Sequence, residues 1–109
     1  MATRELRTLL IASRQKVALW AHDGWALYPV EAWYDPARRE FRLRLAGSPL
    51  EYSGDFLNGN EFLAHQPPRQ FWLFQEKRLA AQALLDYLTK FDQRLRERIA
   101  EVQTLAQSA

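Results

Sequence analysis

The stretch EKRLAAQALLDYLTKFDQRLRERIAEVQTLA, residues 76–106, decides the architecture, because no Gly or Pro interrupts it. Leu84, Leu88, Phe91 and Leu95 step by 4, 3 and 4, and Ile99, Val102 and Ala106 continue by 4, 3 and 4. That spacing puts side chains on one face of an α-helix. Asp86–Lys90 and Asp92–Arg96 add favourable i, i+4 pairs on the other face. The spacing predicts one long amphipathic helix over residues 76–106.

Length turns this helix into an argument about function. About 30 residues at 1.5 Å each make a rod of roughly 45 Å. A compact chain of 109 residues has a radius of gyration near ~13 Å and a diameter of about 35 Å. The helix is longer than the body it packs on. Its first half, Leu79 to Leu95, is expected in the core, and its distal turns should overhang. Leu95, Ile99, Val102 and Leu105 form the candidate association helix, since burying each such side chain is worth about 1.5–3 kcal/mol. The expected partner is a second copy, giving a homo-oligomer and most simply a homodimer. Another protein is the next expectation, and a curled or frayed end the third. Two steps of four meet at Leu95, and Arg98 falls where a strict heptad wants an apolar residue. A regular parallel coiled coil is therefore disfavoured.

Upstream the period changes. Leu6, Leu9 and Leu10 have helical spacing, which predicts a short helix from Thr3, its N-cap, to Arg14. From Lys16 to His22 the pattern alternates, and Asp23-Gly24 signals a hairpin. Trp25 to Tyr34 predicts a second strand. Pro29 cannot donate a ladder hydrogen bond, so this strand should lie at an edge or carry a bulge. Asp35-Pro36-Ala37-Arg38 is a turn by composition. Glu40 to Ala46 is the clearest strand, with Phe41, Leu43 and Leu45 on one face and Arg42 and Arg44 on the other. Leu50 to Ser53 suits a short further strand. Gly54 to Pro68 is loop-like, with one helical turn at Asn60 to Ala64, and Arg69 to Gln75 leans to a strand over a helix start.

The expected fold is a single α+β domain over residues 1–109, with helix plus sheet in 1–75 and the long helix in 76–106. A short N-terminal helix leads into an antiparallel meander of three to four strands, and the long helix packs on one sheet face. The expected core is Leu6, Leu10, Val17, Leu19, Leu27, Phe41, Leu43, Leu45, Leu84, Leu88 and Phe91.

Composition narrows the function classes. There is no cysteine, which excludes disulfides and thiolate metal sites and points to a cytoplasmic protein. No apolar run approaches the roughly 20 residues of a membrane span, and Leu9-Leu10-Ile11-Ala12 is too short for a signal h-region. The formal charge is only +2, with nine basic and eight acidic residues in 1–75 and six and five in 76–109. Any nucleic-acid footprint must then be a local patch. Arg38, Arg39, Arg42 and Arg44, with Trp20 in the outer phase of its strand, form that patch: cations for phosphates or an acidic partner, and a flat ring for bases. An ordinary solvated face, with Arg paired to Glu31 or Glu40, is the stronger expectation. Twelve of the fifteen basic residues are Arg, as in GC-rich bacterial or phage sequences.

Catalytic chemistry finds no foothold. His22-Asp23 lacks a nucleophile, and the two His, His22 and His65, lack metal-ligand spacing. Asp55 and Glu61 fail the calcium-loop pattern, because Asn60 stands at the sixth place. The four Gly are scattered singly, so no phosphate-cradling loop exists. The chain is expected to be no enzyme, with no cofactor and no metal. Helix, three strands, helix resembles the double-stranded RNA-binding domain in outline, and Lys77-Arg78-Leu79-Ala80 is similar to that family's basic helix start. The resemblance covers topology alone. The ranking that follows is a non-enzymatic interaction module (adaptor, inhibitor or assembly factor) first, and a nucleic-acid-binding protein second.

Overall fold

The computed structural model describes residues 6–107. Its elements are α1 Leu6–Ser13, β1 Val17–His22, β2 Leu27–Asp35, β3 Glu40–Leu45, β4 Glu51–Asn58, β5 Glu61–Gln66, β6 Pro68–Phe74 and α2 Lys77–Gln107. The expected N-cap Thr3 lies outside the described residues. Each strand pairs antiparallel with the next, and β6 returns to β1. The α+β class and the antiparallel sheet stand. The strand number is six where three to four were expected, and the sheet closes into a barrel. The outline of helix, three strands, helix does not survive that count.

β5 and the second half of β4 lie in the segment expected to be a loop. Asn58 pairs with Glu61, so Gly59-Asn60 is a tight turn, and His65 pairs with Pro68 around a turn at Pro67. Asn60 to Ala64 makes strand, not a helical turn. The strand at Arg69 to Gln75 is present as β6.

A six-stranded barrel is narrow, and the inward residues suit it. Ala21, Ala32, Gly54 and Ala64 alternate with Leu19, Val30, Tyr52 and Phe62 along their strands, the small-and-large filling that small barrels require. Gly54 sits at the tightest point: a Cβ there would fall 2.1 Å from the Leu63 carbonyl oxygen. A register shift between Ser53 and Gly54 accompanies this close approach. Phe41, Leu43, Phe71 and Leu73 complete the filling, and Leu6 and Leu10 of α1 join the same cluster. Of the expected core, Leu6, Leu10, Leu19, Phe41 and Leu43 are buried. Val17 and Leu45 pack partly buried against them, and Leu27, Leu84 and Leu88 are half-buried. Phe91 is a correction: it is exposed, because the helix has already left the barrel there.

Pro29 lies within β2, opposite Trp20 and without a bulge, where β2 has no ladder partner on its other side because the β2–β3 ladder begins at Val30. The Pro29 carbonyl accepts from Ala46 N–H at 2.9 Å, one residue past the end of β3. The donor that Pro lacks thus faces the end of a ladder, where none is needed. Asp23-Gly24 opens a four-residue connection rather than a two-residue turn, since His22 pairs with Leu27.

Closure between β1 and β6 is the shortest seam: Trp20–His22 against Trp72–Phe74. α2 contacts β1, β6 and β2 and so lies over this seam on the outside of the barrel. The molecule measures 62 × 32 × 27 Å with a radius of gyration of 17.4 Å. That is well above the ~13 Å of a compact chain this long. The excess length is the distal half of α2. No helix among the described residues is long and apolar enough to cross a membrane.

Candidate functional site

α2 begins at the end of the barrel where α1 sits and runs toward the other. Lys77 Nζ lies 5.1 Å from the Trp20 ring, and Ala80 is fully buried. Tyr87 then meets Trp72, with ring centroids 5.3 Å apart, and His22 at 6.0 Å. It also closes on Gly24, where a Cβ would come within 2.9 Å of Tyr87 Cε1. Gly24 has φ +89°, so glycine answers both the backbone and the crowding. At this level the helix passes the barrel's end.

From Phe91 onward every described residue of α2 is exposed. The candidate association residues stand there: Leu95 at 49%, Ile99 at 51%, Val102 at 48% and Leu105 at 67% exposure, with Phe91 at 58%. Ala80, Leu84 and Leu88 face the barrel, and Phe91, Leu95, Ile99 and Val102 continue the same row at steps of three and four. Twenty-two residues from Ala80 to Val102 turn about 40° beyond six full turns. The unpartnered face is therefore the one that covers the barrel, prolonged past its end. Asp92, Arg94, Arg96, Glu97, Arg98 and Glu101 flank it, three of each sign. Asp92–Arg96 and Arg98–Glu101 already pair within the helix at 3.1 Å each.

The same end of the barrel holds a polar plug that the sequence reading missed. Arg69 occupies the inward phase of β6 with Phe71 and Leu73. Its Nη2 donates to Asp23 Oδ2 at 2.7 Å and its Nη1 to the Tyr52 hydroxyl at 2.8 Å. Its guanidinium carbon lies 4.8 Å from the Phe71 ring centroid. Asp23 also accepts from the N–H groups of Trp25 and Ala26 and from the Tyr28 hydroxyl. Burial opposes the Asp23 charge, but hydrogen bonds from Ala26, Arg69, Trp25 and Tyr28 outweigh it and hold the carboxyl below its ordinary range. Burial likewise opposes the Arg69 charge, and Tyr52, Asp23 and Tyr28 more than offset it. An Arg two residues before the inward Phe71 was the available signal.

His22 points outward from β1 yet is buried, because α2 covers it. It stacks on Trp72 at 4.8 Å, and its Nδ1 accepts from Gly24 N–H at 3.1 Å. Desolvation lowers its pKa, against the opposing pull of Asp23. The ring is a neutral packing element with one nitrogen committed.

The expected Arg and Trp patch is dispersed. Trp20 pairs across to Pro29 and lies under Lys77, away from the arginines of β3. The ring beside Arg42 is Trp33, its register partner, with Lys16 Nζ 4.7 Å from it. Arg42 bonds Glu40 at 2.6 Å and Glu51 at 3.2 Å, and Arg44 bonds Glu31 at 2.6 Å. Arg38 and Arg39 are exposed on the turn, where Asp35 caps the N–H of Ala37 at 3.0 Å.

An open groove of about 680 Å³ runs between Leu6, the Gly59-Asn60 turn, Phe74 and the outer side of α2 at Leu79 and Asp86. Among the described residues, Asp86 is the titratable group on its wall. Among the described residues no three His, Cys, Asp or Glu side chains converge as metal ligands would. In comparisons with known proteins, no family model, no curated protein and no solved structure matches this chain.

Proposed function

We propose that this protein is a small non-enzymatic interaction module, an adaptor, inhibitor or assembly factor, that self-associates through the distal half of α2. One observation carries the reading. Phe91, Leu95, Ile99, Val102 and Leu105 stand exposed in one row on a helix whose proximal half alone touches the barrel. Among the described residues every strand of the closed sheet has a neighbour on both sides, which favours this row as the apolar surface that joins chains.

Magnitudes agree with a reversible dimer. Each half-exposed side chain gains about 1 kcal/mol on full burial. Five from each copy give ~10 kcal/mol, comparable with the about 4–15 kcal/mol that association costs in lost freedom. Flanking charges of balanced sign do not repel a second copy. Sedimentation equilibrium on the full chain is expected to show a dimer at about tens to hundreds of micromolar. Leu95→Asp with Val102→Asp should return it to a monomer while the barrel's circular dichroism is unchanged. A strict monomer at several hundred micromolar would overturn the proposal.

Nucleic-acid binding is the second reading, favoured by the Lys16–Trp33–Arg42 row beside exposed Arg38 and Arg39. Its weakness is charge. Glu31, Glu40 and Glu51 already neutralise Arg42 and Arg44, leaving little to exchange for phosphates. Fluorescence anisotropy with single-stranded DNA and RNA at low salt tests it. Binding that weakens steeply with salt and is lost in Arg38→Glu/Arg39→Glu would raise this reading above the first.

A further inference from the structure

We infer that the self-association proposed above, on which this step rests, is an antiparallel pairing of two α2 overhangs. In it, the end of each helix is seated against the barrel end of the other copy, beside Trp25.

Sterics decide the orientation. The apolar row of the overhang is the prolongation of the row that packs on the barrel, Ala80, Leu84 and Leu88. A partner helix laid on the overhang therefore lies directly beneath the barrel's end. A parallel partner would have to continue toward its own N-terminal half through space the first barrel fills. Two barrels, in molecules whose cross-section with the packed helices is 32 × 27 Å, would hold parallel helices apart. An antiparallel partner ends where the barrel begins, so both copies fit. Such a pair has the closed two-fold symmetry that most dimers adopt.

The sequence of the overhang fits that symmetry. Overlapping Phe91–Ala106 in full pairs positions whose numbers sum to a constant: Phe91 with Ala106, Leu95 with Val102, and Arg98 with Ile99. The largest ring then meets the smallest side chain, and the two central aliphatics meet each other. Arg98, out of place in a parallel heptad, would there face Arg98 directly. In the antiparallel register it packs its stem on Ile99 and keeps its own Glu101, 3.1 Å away. Arg94 and Glu101 share one flank, two turns apart. Antiparallel overlap brings Arg94 of each copy near Glu101 of the other, within about 3 Å of axial register, whereas a parallel two-fold pair sets this flank on opposite sides of the interface.

The register also gives Trp25 a role. It follows Gly24, which touches Tyr87 where the helix leaves the barrel, and it is 79% exposed. In the pair, the Leu105 end of the second helix arrives at this point. An exposed indole beside an exposed leucine is the kind of aromatic anchor that interfaces bury.

The chain has no cysteine, so crosslinking is unambiguous. Leu95→Cys and Val102→Cys are made separately, both at exposed positions, and each is oxidised alone and as an equimolar mixture. The antiparallel register predicts that the mixed disulfide dominates. Like-with-like crosslinks should be scarce, because identical residues lie about 10 Å apart along the axis and a disulfide needs Cα atoms within about 7 Å. A second pair, Phe91→Cys with Ala106→Cys, checks the same register independently. A dimer that crosslinks Leu95→Cys to itself overturns the orientation alone. A dimer with no mixed crosslink in either pair overturns the register. A monomer by sedimentation removes the self-association reading, and this inference with it.

Discussion

Arg69 Nη2 lies 2.7 Å from Asp23 Oδ2, tying the start of β6 to the loop that leaves β1. The contact spans the barrel end where only the short β1–β6 seam closes the sheet. The two partners are not equal. Asp23 accepts from two backbone N–H groups and the Tyr28 hydroxyl besides Arg69, whereas Arg69 keeps Tyr52 and partial access to water without Asp23. Asp23→Ala should therefore destabilise by about 2–4 kcal/mol, short of the loss for a fully buried pair. Arg69→Met, which leaves Asp23 its backbone donors, should cost about 1–2 kcal/mol. Urea midpoints with unchanged m-values measure both. Equal losses, or a larger loss at Arg69, would reverse this assignment.

Acid should weaken the fold in two windows, both with the same sign. His22 is held below its ordinary 6.5 by desolvation, against the opposing charge of Asp23. Between that lowered value and 6.5 the unfolded chain binds more protons than the folded one. Stability is thus complete above about pH 7 and falls as pH drops through that window, by at most about 1.4 kcal/mol per pH unit. Asp23, also lowered from its 3.8, adds a second loss as pH falls below that value. His22→Gln should flatten the upper window, and Asp23→Asn the lower. Denaturation midpoints from pH 8 to pH 3 report both steps, and stability that held level from pH 7 to pH 5 would contradict the first.

Much of this was legible in the sequence, and the remainder failed for a common reason. The long helix shows itself because nothing interrupts its period, and β3 because Phe41, Leu43 and Leu45 alternate with charge. The second half of β4 and all of β5 are hidden. Their inward slots at Gly54 and Ala64 are small, so alternation is invisible to hydropathy, and Asn58, Gly59, Asn60, Pro67 and Pro68 read as loop when they are two hairpin turns. A narrow barrel demands such small residues, so the feature that closes the sheet also conceals its strands. Arg69 is hidden likewise: a cation in a core phase looks like a strand's end. The Arg and Trp patch was misplaced by register. Strand phase set Trp20 on the outer face correctly, but only pairing shows that Trp33, not Trp20, neighbours Arg42. The exposure of Ile99, Val102 and Leu105 was legible because it followed from length alone, whereas Phe91 was expected in the core.

Gly54→Ala tests the closeness of β4 to β5. The new Cβ would meet the Leu63 carbonyl oxygen at 2.1 Å and the Ala64 Cα at 2.9 Å. Both are backbone atoms of the paired strand, so no side chain can swing aside. Relief requires β5 to move, and with it Phe62 and Ala64 in the core. A loss of about 3 kcal/mol or more is expected, at the upper end for overpacking. Gly47→Ala is the contrast. Nothing lies within 4 Å of its Cβ, though its φ of +80° leaves a backbone cost of about 1 kcal/mol. Similar losses at the two positions would mean that the barrel breathes enough to accept the clash.

Hydrogen exchange divides α2 at the point where it leaves the barrel. Amides from Ala81 to Leu88 lie on the segment clamped by Ala80 and Tyr87, and opening them requires undocking from the β1–β6 seam. Amides from Leu95 to Gln107 are held by helix bonds alone, and an unsupported helix of this length is marginal in water. At low micromolar concentration the proximal set should be protected close to the global stability, and the distal set should exchange orders of magnitude faster. Raising the concentration should slow the distal set selectively, since a partner that binds only the folded helix stabilises it by mass action. The proximal amides act as the internal control, because their protection comes from the barrel within one chain. Distal protection that is high and independent of concentration would mean that the overhang is stable alone, which removes the energetic reason for a partner.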